Sequence, residues 1–252
     1  MISVSIIGSG NVAQHLISAF EKAENIELVQ VYSRNPTANF PDSKSVAITQ
    51  NFNELQPVDL FIIAVSDDVI TSVSDQIPFS NQLVVHTSGS VAMESLSNSN
   101  RKGVFYPLQT LSKTKEINFK EVPLCIEAES NSDLELLHEV ASAISNNVFE
   151  IDSNQRKSLH VAAVFVNNFT NHLFQIGNEI CDENRVSFEI LKPLIFETAN
   201  KINSLSPKEA QTGPAKRNDT ITINKHLDFL SNPNHKEIYK ILTKSIIDNG
   251  KL

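Results

Sequence analysis

Residues able to carry chemistry fall into two groups, one in each half of the chain. The first is Gly8-Ser9-Gly10-Asn11-Val12-Ala13, where two glycines spaced by one residue are followed by a third small residue. That is the G-x-G-x-x-G/A pattern of a dinucleotide-binding turn. Gly8 suits the tight turn, Gly10 lets backbone approach a pyrophosphate, and Ala13 lets a helix pack closely on a strand. A helix starting there offers free N–H groups and a positive dipole end to phosphates. The bland alternative is a glycine turn in an α/β protein that binds no nucleotide. The second group is His160, Asn167, Asn171 and Asn178, spaced by seven, four and seven residues. At about 100° per residue they fall within roughly 20° of one helix face. Imidazole titrates near working pH and serves as a general acid or base, and an amide beside it can orient a substrate. The same row also reads as the solvated stripe of an amphipathic helix.

The elements that would position these groups follow from periodicity. Ser3 to Ile7 is an apolar strand, and Val12, Leu16, Ile17 and Phe20 recur at helical spacing, so the glycines sit on a strand-to-helix turn. Ile26 to Ser33 alternates as a strand and ends at Ser33-Arg34-Asn35-Pro36. An acidic residue there would take the ribose hydroxyl of NAD, whereas an Arg accommodates the 2′-phosphate of NADP. Arg34, flanked by Ser33 and Asn35, favours NADP, with NAD the lesser alternative. Leu60 to Val65 is a continuous apolar run of the kind a doubly covered parallel strand shows. The backbone of Ala64, Val65 and Ser66 beyond it is a cofactor candidate, and Asp67-Asp68 read as helix caps. Leu83 to His86 repeats the design and leads into Thr87, Ser88 and Gly89, which belong at the same sheet edge, near a nicotinamide ring. His86 is either a core histidine or a group facing the site.

Further strands at 103–110, 122–128 and 148–151, with a helix over 133–144, complete an α/β domain with a mainly parallel sheet. Past Asp152 strand signals stop. Residues 153–181 read as one helix of roughly 40 Å, apolar most of the way round and therefore expected to be buried. Residues 1–152 are thus expected to form a Rossmann-like dinucleotide-binding domain and 153–252 a helical substrate and dimerisation domain. Further on, Thr212-Gly213-Pro214 breaks the helical pattern, and Asn218, Asp219 or Thr220 can cap the next helix. Lys216 and Arg217 oppose that helix's dipole, so the loop is either an anion site or an ordinary connection.

Composition sets the outer bounds. The 252 residues are 40% hydrophobic and 20% charged, with a formal net charge of −8 and no basic block. A nucleic-acid or anionic-membrane partner is not expected. No run approaches a membrane span, and the first residues open straight into a strand, so neither a membrane anchor nor a signal peptide is expected. Cys125 and Cys181, far apart and without C-x-x-C spacing, suit a reducing cytoplasm and supply no metal framework.

Taken in order, Gly8-Ser9-Gly10-Asn11-Val12, Ala64-Val65-Ser66-Asp67, His86-Thr87-Ser88-Gly89, Tyr106-Pro107-Leu108-Gln109-Thr110, His160-Val161-Ala162-Ala163 with Asn167, and Thr212-Gly213-Pro214 with Arg217 and Asp219 span nearly the whole chain. In this combination the sequence resembles bacterial two-domain proteins with a Rossmann-like half and a helical C-terminal domain of unknown function. Those proteins are similar in architecture to pyrroline-5-carboxylate reductase, the β-hydroxyacid dehydrogenases and the deazaflavin-linked NADP oxidoreductases. The resemblance implies an NADP-type cofactor, a cleft between the domains, and a homodimer built through the helical half. Lys157 and His160 have a K-x-x-H spacing similar to the phosphogluconate branch of the β-hydroxyacid dehydrogenases, although Val161 follows where that branch has Asn. Asn218 stands where a glycine is expected, and Tyr106 and Leu111 stand where His and Phe are commoner.

The reading that results is an oxidoreductase passing a hydride between NADP and a small carbonyl, imine or hydroxy substrate. His160, Asn167 and Lys157 are its catalytic candidates. Gly8 to Val12, Ser33 to Asn35, Ala64 to Ser66 and Thr87 to Gly89 would hold the cofactor, and Asn171, Thr212, Gly213 and Arg217 the substrate. The alternative is a non-catalytic NADP-binding redox sensor or scaffold.

Overall fold

The computed structural model describes residues 1–35, 46–112 and 115–250; Pro36, at the end of the second strand's turn, lies outside them. Two compact units divide the chain, Met1–Ala163 and Val164–Leu252.

In the first unit the described strands are β1 (Ile2–Ile7), β2 (Ile26–Tyr32), β3 (Ala47–Thr49), β4 (Leu60–Ile63), β5 (Leu83–His86), β6 (Arg101–Pro107), β7 (Leu124–Ala128) and β8 (Val148–Glu150). They form one sheet in the order β3-β2-β1-β4-β5-β6-β7-β8. Every neighbouring pair is parallel except β6 and β7, so this is a Rossmann-like α/β fold. The chain builds outward from β1 in one direction and from β4 in the other, which makes the β1–β4 gap the topological switch point where such sheets bind ligands.

Alternation along the strands explains why both faces are covered. Val4, Ile6, Leu60, Ile62, Leu83 and Val85 point to one side and pack with Leu16, Ile17 and Phe20 of helix α1 (Asn11–Glu21). Leu137, Val140, Ala141 and Ile144 of another helix join the same core. Ile7, Phe61, Ile63 and Val84 point to the other side, against Ile70, Ile77 and Leu96. The helices that follow α1 in this unit are α2 (Ile70–Ser74), α3 (Asn131–Ile144) and α4 (Ser153–Ala163). The helix α4 therefore belongs to the first unit, and the division falls eleven residues beyond the change from strand to helix signals at residue 152.

The second unit begins with six π-helical residues, Val164–Phe169. The described helices after it are α5 (Thr170–Glu183), α6 (Lys192–Lys201), α7 (Pro207–Ala210), α8 (Thr220–Phe229) and α9 (Pro233–Asn249). Local chemistry marks their ends. Ser206 and Glu209 form a capping box, Asp219 accepts the Thr222 amide, and Pro233 opens α9. Asn218 adopts φ 52°, the left-handed conformation that a glycine would take most freely and that asparagine tolerates.

Two expectations need correction here. The stretch 153–181 is not one regular α-helix, and its apolar residues are not buried. Val161, Phe165, Val166 and Phe169 are each more than half exposed. Apolar residues around a helix signal burial only if something covers them, and this unit of the chain buries few side chains, Ala215, Ile223, Leu230 and His235 among them. Among the described residues no helix is long and apolar enough to cross a membrane.

Candidate functional site

The turn after β1 meets three requirements that only small residues satisfy. Gly8 has φ 134°, and a Cβ there would stand 2.1 Å from the carbonyl oxygen of Ala64. Both the conformation and the close approach of β1 to β4 therefore demand glycine. Gly10 differs, because its φ is an ordinary −72° and nothing lies within 4 Å of where its Cβ would be. It occupies the N-cap of α1, where no side chain caps the helix and no acidic residue stands in the first turn. The Gln14 amide bonds back to the Gly10 carbonyl at 3.0 Å. The amides of Asn11, Val12 and Ala13 precede any intrahelical acceptor. Open space ahead of an uncapped, acid-free helix start fits a phosphate group. Ala13 is fully buried against the sheet, and Val12 packs beside it.

Not every side chain of the turn faces that space. The Asn11 amide group donates to the Leu111 carbonyl at 2.9 Å, and His15 Nε2 lies 3.0 Å from the Ser112 carbonyl. Both tie the loop after β6 to α1. Ser9 contributes its carbonyl, which accepts from the Gln14 side chain. At the end of β2, Ser33 is buried and its hydroxyl accepts the Asn35 amide at 3.2 Å. Arg34 is exposed beside them.

At the end of β4, Ala64 is buried and Ser66 exposed at the start of a 3-10 turn, Asp67–Val69. Asp67 does not cap that turn. Its carboxylate instead accepts the Ser90 hydroxyl at 2.5 Å, bracing the loops that follow β4 and β5 against each other. Thr87 extends the sheet through its amide to Ile63, 3.1 Å, and Ser88 accepts the amides of Ser90 and Val91. His86 belongs to the core. It is fully buried, and its Nδ1 accepts the Ser88 amide at 3.2 Å. Burial, reinforced by the Arg156 cation, pushes its pKa down to about 4.

Gly89 is the position where three elements converge. A Cβ on it would stand 2.5 Å from His160 Nδ1 and 2.8 Å from the Tyr106 hydroxyl. The two rings lie edge to face with centroids 6.2 Å apart, and Tyr106 Oη and His160 Nδ1 are 3.1 Å apart. Tyr106 comes from β6 and His160 from the last turn of α4, so this contact lies wholly within the first unit. Burial raises the phenol's pKa, the Cys125 thiol and Asp67 add to that, and Arg156 opposes it. Cys125 itself is buried, and its thiol is pushed up to about 11, chiefly by desolvation.

The helix that carries His160 is pinned one turn earlier. Arg156 is 1% exposed and pairs with Glu127 at the end of β7. It also donates to the Val91 carbonyl at 2.7 Å and the Ser153 hydroxyl at 3.0 Å. Glu127 in turn accepts the Ser153 amide at 2.9 Å. Sequence reasoning missed Arg156 and Glu127. The available signal was the i, i+4 spacing of Arg156 and His160, which sets both on one face of α4.

Lys157 is exposed on the same helix. Asn167, Asn171, Thr212, Gly213 and Arg217 all belong to the second unit. The polar row does not continue as a straight stripe from His160, because the count of about 100° per residue fails through six π-helical residues. Asn178 donates to Asp182 at 2.9 Å. Arg217 is exposed, one of two cations that act on the α8 cap Asp219, whose carboxyl is held below its usual range first by the Thr222 amide.

An eight-stranded, mostly parallel sheet with a glycine turn at its switch point and a helical C-terminal unit defines a protein of the Rossmann-like α/β class. Residues 3–89 match the family described as NADP oxidoreductase, coenzyme F420-dependent. Residues 122–246 match a domain of unknown function, DUF2520. A Bacteroides fragilis protein described as a candidate NADP oxidoreductase is 38% identical, with 98% of each chain covered and a TM-score of 0.87. The chain belongs to the family that joins this NADP-binding Rossmann domain to the DUF2520 domain. Protein TM1727 of Thermotoga maritima shares the fold at 19% identity, with 99% of this chain and 100% of that chain covered and a TM-score of 0.74. So does the pyrroline carboxylate reductase of Plasmodium falciparum, solved with NADP bound, at 16% identity, 99% and 97% coverage and a TM-score of 0.59. No curated protein matches the sequence.

Proposed function

We propose that the protein is an NADP-dependent oxidoreductase acting on a small carbonyl, imine or hydroxy substrate. The observation that carries this reading is the Gly8–Ala13 turn. It lies at the switch point, and its helix start is uncapped, free of acid and open in front of Gly10. The 38% identical Bacteroides fragilis protein supports it. The Asn11, Val12 and Ala13 amides would take the pyrophosphate, and Arg34 with Ser33 and Asn35 the 2′-phosphate. Ala64 to Ser66 and Thr87 to Gly89 would line the path to the nicotinamide. When bound, the cofactor supplies the hydride.

The chain's own contribution is proton transfer and orientation. His160 gives or takes the proton at the substrate heteroatom, and the Arg156–Glu127 pair holds its helix in place. Lys157 and Asn167 are further catalytic candidates, and Asn171, Thr212, Gly213 and Arg217 are candidates for the substrate's polar groups. We assign the protein to the cytoplasm, where Cys125 and Cys181 stay as thiols, and expect a homodimer. A second copy would cover exposed apolar side chains of the second unit such as Phe165, Val166, Leu194 and Phe196, each exposed by more than 60%. Sedimentation at several concentrations checks this.

Fluorescence titration with NADPH and NADH, followed by a screen of small 2-oxo acids, imines and semialdehydes, tests the function. Tighter binding of NADPH and turnover of one acceptor class is the expected result. Binding without turnover across the panel would favour a redox sensor, and no binding of either nucleotide would overturn both readings.

A further inference from the structure

The pairing of Tyr106 with His160 extends the proposed reaction by one residue. The pair is built rather than incidental. Gly89 makes room for its rings on the β5 side, since a single methyl there would stand 2.5 Å from His160 Nδ1 and 2.8 Å from Tyr106 Oη. On the helix side, Arg156 fixes α4 to β7 and to the loop after β5. Nδ1 of His160 lies 3.1 Å from Tyr106 Oη. Among the described residues neither Nε2 of His160 nor Tyr106 Oη has another hydrogen-bond partner in the protein.

A phenol carries one hydrogen, and a neutral imidazole carries one on either nitrogen. If Nδ1 held it, the phenol's hydrogen would have no protein acceptor, and Nε2 would be left as an acceptor only. If the phenol donates to Nδ1, the phenol's hydrogen is paired within the protein and Nε2 keeps a hydrogen free for a substrate. Desolvation of the phenol makes an O–H without an acceptor costly there, which favours the second arrangement.

We propose that Tyr106 is the second residue of the proton-transfer unit: its phenol donates to Nδ1 of His160, and Nε2–H is the proton handed to the substrate. This rests on the reductase reading above. The reduced acceptor needs one proton on its heteroatom. Nε2 releases its proton to that atom, Nδ1 takes the phenol's proton in the same movement, and the O–H bonding pair stays on Tyr106 as phenolate. Nδ1–H then donates to the phenolate, and a proton from water restores the starting state. A neutral pair acting as the acid has a consequence for pH. An imidazolium acting alone loses its acid form as pH rises, while the relay works until the phenol, whose pKa burial raises, itself ionises. The titratable or charged groups acting on the phenol are Cys125 from β7, Asp67 after β4 and Arg156 on α4.

Tyr106→Phe keeps the ring and removes only the hydroxyl. Its reduction rate should match wild type at low pH and fall by up to about tenfold per pH unit as pH rises, where wild type stays level. An independent readout is 15N NMR of His160 in the protein without substrate. Wild type should show Nε2 protonated and Nδ1 as a hydrogen-bond acceptor, and Tyr106→Phe should lose the hydrogen-bonded Nδ1 signature. A protonated Nδ1 in wild type, or identical spectra in the two proteins, overturns the relay. So do superimposable pH profiles. If no acceptor is reduced, the reductase reading fails and the relay with it, while the NMR result still decides the hydrogen bond.

Discussion

Replacing Gly89 with alanine tests how the site is assembled, and the structure gives its size. The new Cβ would lie 2.5 Å from His160 Nδ1, so the imidazole must retreat by about 1 Å to reach ordinary contact at ~3.5 Å. The Tyr106 hydroxyl, 2.8 Å from the same point, must move as well. Neither ring gives way freely, because α4 is anchored by Arg156 and Tyr106 sits in the pleat of β6 opposite Cys125. Overpacking of this kind costs about 1–3 kcal/mol. In a chain of this length each kcal/mol lowers Tm by about 2–4 °C. The proton-transfer unit should also lose its alignment, for a rate loss of ~10²-fold or more. Gly177→Ala is the control. Its Cβ would meet only Phe188 at 3.7 Å, and exchanging glycine for alanine inside α5 should raise stability by about 0.5–1 kcal/mol. Thermal unfolding and turnover, measured on both variants, give the comparison. A Gly89→Ala protein with wild-type Tm and rate would refute the crowding on which the site is built.

Other consequences follow from the same geometry. Gly10→Asp should leave stability unchanged or higher by a few tenths of a kcal/mol, since Asp is a good N-cap, yet weaken NADPH binding ~10²-fold by setting a carboxylate before the phosphates; calorimetry alongside urea unfolding reads both. His86 ionises at about 4 in the folded chain against about 6.5 unfolded. The unfolded state therefore takes up the proton first, and stability falls as pH drops from about 6.5 to about 4, by about 3 kcal/mol in total. His86→Asn should flatten that limb in urea titrations across the range. Arg156→Met leaves Glu127 without its cation and should cost about 3–5 kcal/mol, with a loss below about 1 kcal/mol counting against the anchor.

How much of this was legible depended on distance along the chain. The Gly8–Ala13 turn, the buried run Leu60 to Ile63 and the alternating strands are local patterns, and each appears in the structure where its period put it. Gly89 was legible as a residue at the sheet edge, but its reason was not. The rings that crowd it lie seventeen and seventy-one residues further along the chain. Arg156 and Glu127, 29 residues apart, pair across two elements that no single periodicity links, so the i, i+4 spacing of Arg156 with His160 was the readable trace of the pair. The long helix misled for a physical reason: apolar residues on most of its circumference report a surface that needs covering, not the chain that covers it. The π-helical turn at 164–169 was hidden because the spacing of His160, Asn167, Asn171 and Asn178 fits an unbroken α-helical count, and nothing local marks the change of period.

Single-turnover transfer of deuterium from NADPH labelled at nicotinamide C4 tests the central claim most directly, with His160→Ala run beside wild type. The account predicts deuterium on the acceptor carbon of one small carbonyl or imine class, at a rate cut ~10²-fold or more in the variant. Saturable NADPH binding with no deuterium in any acceptor would contradict it.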